Sequence, residues 1–127
     1  MTTVTSVAPE TVMAVAVLKA NEAGESLEIE DISKKLLELQ DLGIDVGEVA
    51  LRRVPDGVYS EDVEAFVGRL LAAGYAKARS PIKFFDNGLR VCKMILEDEQ
   101  RENLEGLRAV ASALSFDLSK FTGPEAQ

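Results

Sequence analysis

"SEDVEAFVGRLLAAGYAKARSPIKFFDNG", residues 60–88, is the stretch on which the reading of the fold turns. Val63, Phe66, Val67, Leu70 and Leu71 recur at helical spacing on one side, and Gly74 stands where such a helix would stop. Ser60 is suited to open it, because its hydroxyl can accept from a backbone N–H of the first turn. Beyond Gly74 the pattern alternates poorly, but Ser80 and Pro81 form a turn, so a short β-hairpin is predicted. A further helix opens at Asp86 or Asn87, with Leu89, Cys92 and Leu96 on one apolar line.

Working upstream, residues 1–8 lack periodicity and read as a loose tail. Pro9 suits a first helical position, where its missing N–H costs nothing, and a helix to about Asn21 is predicted. Its run "VMAVAVL" could be a strand, but the length and the alanines favour a helix buried on most sides. A second, amphipathic helix carries Ile29, Ile32, Leu36 and Leu39 inward and ends near Gly43. Asp45 and Glu48, three apart, resemble a capping pair, which predicts a short helix from Val46 to about Arg53 ended by Pro55. Downstream, Leu104, Leu107, Val110 or Ala111, and Leu114 continue the apolar line past "EDEQREN", as one long helix or two.

Composition narrows the function classes. A chain of 127 residues with 46% hydrophobic and 28% charged residues can close one core. The longest apolar run, Val12 to Leu18, is far short of the roughly 20 residues that cross a bilayer. No secretory signal is visible at the start, so a cytoplasmic location is expected. Histidine is absent and Cys92 is the single cysteine, which removes Ser-His and Cys-His chemistry and any intrachain disulfide. Cys92 reads as a small buried hydrophobe. No phosphate-cradling glycine loop, dinucleotide fingerprint or EF-hand spacing occurs, so no enzyme, cofactor or metal site is expected.

Charge is unevenly distributed. The chain carries net charge -8, yet residues 66–96 hold six cations against one acid, Asp86, while the sequence on either side is acidic. Such a concentration is the footprint of a phosphate-contacting surface. Lys77 and Arg79 alternate along a predicted strand and so share a face. Lys83 follows, and Arg90 and Lys93 lie three apart on one side of a helix.

The order of elements, with Leu70, Gly74 and Tyr75 closing one helix and Phe84 and Gly88 opening another, resembles winged helix-turn-helix domains, broadly the MarR-type and PadR-type regulators. Phe85 stands where those families place a capping threonine, which leaves the cap to Asp86. The resemblance covers roughly residues 10–97 and implies a mainly α fold with a small β-hairpin, the wing, and an added C-terminal helix. The organisation it implies is a winged-helix domain over 9–97, a helical extension over 98–118 and a loose tail over 119–127. It further implies that 60–73 is a recognition helix, whose outward face would carry Glu61, Glu64, Ala65, Gly68, Arg69 and Ala72. Only Arg69 among these is suited to base-edge readout.

The expected function is therefore a small regulator-like protein that binds double-stranded DNA through Arg69, Lys77, Arg79, Lys83, Arg90 and Lys93. The C-terminal helix either pairs two protomers, as is common in the family, or packs back on its own core. The alternative function is a non-enzymatic protein-interaction module, in which the small residues Ala65, Gly68 and Ala72 let a partner backbone approach.

Overall fold

The computed structural model describes residues 5–119. Helix α1 (Pro9–Ala23) is followed by α2 (Ile29–Asp41), a hairpin of β1 (Arg52–Val54) and β2 (Gly57–Tyr59), and α3 (Glu61–Ala72). A second hairpin, β3 (Ala76–Arg79) and β4 (Ile82–Phe84), leads into α4 (Asp86–Glu102) and α5 (Leu104–Ala113). The architecture is thus mainly helical, with two small antiparallel hairpins.

The central part of helix α1 is apolar on nearly every side, and Thr11 to Leu18 are all buried beneath α2, α4 and α5. Such a helix can only lie at the centre of a core. Ile29, Ile32, Leu36 and Leu39 of α2 close one flank, and Leu107, Val110 and Ala111 of α5 close another. Glu28 N–H donates to the Asp31 carboxylate at 2.8 Å to cap α2. At α3 the Ser60 hydroxyl accepts from Val63 N–H at 3.3 Å, and Val63, Phe66, Val67 and Leu70 are buried as their spacing requires.

The short helix expected over Val46–Arg53 does not form. Asp45 accepts through its side chain from Gly47 N–H, two residues on, rather than capping a turn at Glu48, and Gly47 adopts φ +82°. That is a turn geometry, and Arg52–Val54 then pairs with Gly57–Tyr59 across Pro55 and Asp56. Residues 5–8 are not loose either. Thr5 and Val7 exchange backbone hydrogen bonds with Asp45 at 2.8 Å, and Val7 is buried.

The apolar line after Asp86 is two helices. Asn103, at φ -154° and ψ 63°, interrupts it; its carbonyl oxygen accepts from Gly106 N–H and its amide donates to Ser6 C=O and Glu99. The division expected between residues 97 and 98 falls inside α4. Because Leu107, Val110, Ala111 and Leu114 face α1 and α4, the C-terminal helix packs on its own core. Residues 120–127 of the expected tail lie outside the described residues. No helix among the described residues is long and apolar enough to cross a membrane.

Candidate nucleic-acid interface

The β3–β4 hairpin is held on both sides. Ile82 N–H donates to Leu27 C=O at 2.7 Å and the Ser80 hydroxyl to Glu28 at 2.7 Å, which ties the hairpin to the α1–α2 connection. On the other side Phe85 N–H donates to Tyr75 C=O at 3.0 Å. Gly88 permits this closure, because a Cβ there would lie 2.1 Å from the Tyr75 carbonyl oxygen. The spacing from Tyr75 to Gly88 is thereby explained by packing.

Arg69, Lys77, Arg79, Lys83, Arg90 and Lys93 are all exposed. Among the described residues the ion pairs are Arg52 with Glu61 and Arg101 with Asp98, and neither involves any of these six cations. Lys77 and Arg79 are exposed alike but meet different neighbours. The register shifts at a bulge between Ala76 and Ala78, although exposure still alternates along the strand. Lys77 joins Lys83 along an open cleft of about 270 Å³ whose apolar floor includes Val17, Leu27 and Ile82. Arg79 turns to α3, where its guanidinium would be 3.6 Å from a Cβ placed on Gly68. Arg90 and Lys93 occupy the exposed side of α4.

The strip of small residues on α3 is accordingly interrupted. Ala65 and Ala72 are exposed, but Gly68 between them is half-buried beneath Arg79. The acids at the start of α3 are occupied too. Asp62 accepts from Ala50 N–H at 2.8 Å, Glu64 accepts from the Tyr59 hydroxyl, and Glu61 pairs with Arg52 at 3.6 Å. The bond to Glu64 raises the Tyr59 hydroxyl above its ordinary range. These carboxylates bind the first hairpin to α3, which the linear charge count could not reveal.

The start of α4 departs from expectation. Phe85, not Asp86, is the N-cap of α4, and no side chain caps this helix. Phe85 is 47% exposed, and its ring centroid lies 5.7 Å from the Lys77 ammonium. The "FF" pair was the available signal, since Phe84 alone packs against the core. Cys92 is buried, and desolvation pushes its thiol up to about 12, far from a nucleophile at neutral pH. The chain matches no family model, no curated protein and no solved structure at a significant level.

Proposed function

We propose that this chain is a winged-helix protein that binds double-stranded DNA through its second hairpin in a regulator-like role, with Lys77, Arg79 and Lys83 as the main phosphate contacts. The observation that carries the reading is the set of six exposed cations between residues 69 and 93, none ion-paired among the described residues, in a protein of net charge -8. Unpaired cations gathered on a hairpin and the helix after it suit a phosphate backbone, which supplies affinity and positioning without sequence information. Arg90 and Lys93 extend the surface along α4, and Arg69 extends it along α3.

Helix α3 contributes little base readout in this account. Its exposed positions offer Arg69 alone among the side chains that favour base edges, and a hairpin rather than a helix precedes it. Binding is therefore electrostatic and weakly selective. The alternative, a protein-interaction module docking on Ala65, Gly68 and Ala72, has less support because Arg79 covers the middle of that strip.

The test is fluorescence anisotropy of a labelled DNA duplex with the wild-type protein and with Lys77→Ala/Arg79→Ala/Lys83→Ala. Loss of binding in the triple variant, with unchanged circular dichroism, supports the reading. Equal affinity in the two proteins rejects the hairpin as the contact.

A further inference from the structure

We infer that Phe85 is a stacking platform for an unpaired nucleobase, so that the preferred nucleic acid has single-stranded character where it meets the start of α4. This rests on the reading of the surrounding cations as phosphate contacts, and it names the class of strand they hold.

The large exposed apolar side chains among the described residues are Leu42, Phe85 and Met94, and Phe85 is the aromatic one. Neither packing nor capping calls for an aromatic ring there. Phe84 supplies the core contact, and the N-cap position gains nothing from a side chain without a hydrogen-bonding atom. The backbone beneath the ring is nevertheless firmly held. Phe85 N–H donates to Tyr75 C=O at 3.0 Å, and Phe85 C=O accepts from Gly88 and Leu89 N–H at 3.0 and 3.1 Å. A ring on so fixed a mount loses little freedom when a base stacks on it.

Its neighbours complete a nucleotide site. The Lys77 ammonium, 5.7 Å from the ring centroid, lies within cation–π range and is also within reach of a phosphate on the same strand. Lys83 lies two residues before the ring in the chain and Arg90 five after it, both exposed and unpaired by any described ion pair. An aromatic set among cations is the arrangement by which proteins hold single strands without sequence preference. That matches the scarcity of base-reading side chains on α3. One stacked base returns about what unstacking a paired base costs, so a single ring cannot profitably open a duplex. A base already unpaired, at an overhang or junction, carries no such cost.

Three probes separate the outcomes: a labelled blunt duplex, the same duplex with a six-nucleotide thymidine overhang, and a thymidine 20-mer, titrated at low salt. Phe85→Leu keeps an apolar side chain but removes the π-face. It is expected to weaken binding of the overhang and the 20-mer by roughly tenfold or more while leaving the blunt duplex within about twofold. Since the chain has no tryptophan, Phe85→Trp also introduces a unique fluorophore, whose emission is expected to fall when the 20-mer binds. If the blunt duplex binds but Phe85→Leu lowers all three affinities alike, or Phe85→Trp is not quenched, the stacking inference is overturned and the phosphate reading stands. If none of the three probes binds the wild-type protein, both are overturned.

Discussion

The Arg79 guanidinium lies against Gly68, so that a Cβ added to the glycine would be 3.6 Å from it. One strand of the second hairpin is thereby joined to α3 at the half-buried Gly68. The spacing is ordinary van der Waals contact, which leaves room for a methyl group. Gly68→Ala is expected to keep this contact and to stabilise the protein by about 0.5–1 kcal/mol, since glycine in a helix interior costs conformational entropy. Urea unfolding of the variant measures this. Gly68→Glu, in contrast, places a carboxylate beside Arg79 and is expected to weaken nucleic-acid binding with little change in stability.

Gly88 is the opposite case. A Cβ there meets the Tyr75 carbonyl oxygen at 2.1 Å and the Phe84 ring at 2.7 Å, and the first of these is backbone that cannot swing away. Gly88→Ala is expected to cost roughly 3 kcal/mol by forcing the start of α4 off the hairpin. The midpoint of urea unfolding should fall accordingly.

Asn103 fixes the break between α4 and α5 by accepting from Gly106 and donating to Ser6 and Glu99. Asn103→Ala removes a cap and leaves these groups without their partner, at an expected cost of about 1–2 kcal/mol. Amide exchange in α5 should quicken more than in α1.

Cys92 should be chemically silent in the native protein. With its thiol raised from 9.0 to about 12 by burial, labelling by iodoacetamide at pH 8 is expected only through unfolding, and in proportion to the unfolded fraction. The linkage has a definite sign. The folded state holds the thiol proton more tightly than the unfolded one, so this contribution to stability is complete below pH 9 and is lost as pH rises from 9 toward 12. Tyr59, also raised, acts in the same direction above pH 10. Cys92→Ala should flatten the alkaline part of the stability profile.

The helices and the second hairpin were legible because their signals are local. The stripe from Val63 to Leu70, the cap at Ser60 and the turn at Ser80 and Pro81 each announce themselves within a few residues. The first hairpin was not, because Asp45 and Glu48 fit a capping pair equally well, and the contest is decided by Gly47 and by Asp45's backbone bonds to Thr5 and Val7. Those partners are some forty residues away in the chain. The candidate surface divides in the same manner. Charge counting located the cations, but the bulge at Lys77, the turn of Arg79 onto α3 and the exposure of Phe85 depend on tertiary contacts.

The central claim, a phosphate-binding surface on an acidic protein, is tested most directly by the salt dependence of affinity for a random-sequence DNA duplex. Anisotropy titrations at low and near-physiological salt should give micromolar binding that weakens steeply, with a log–log slope of about -0.9 for each phosphate neutralised. The absence of binding even at low salt would mean that the net charge of -8 prevails over the cations of residues 69–93, and would contradict the account.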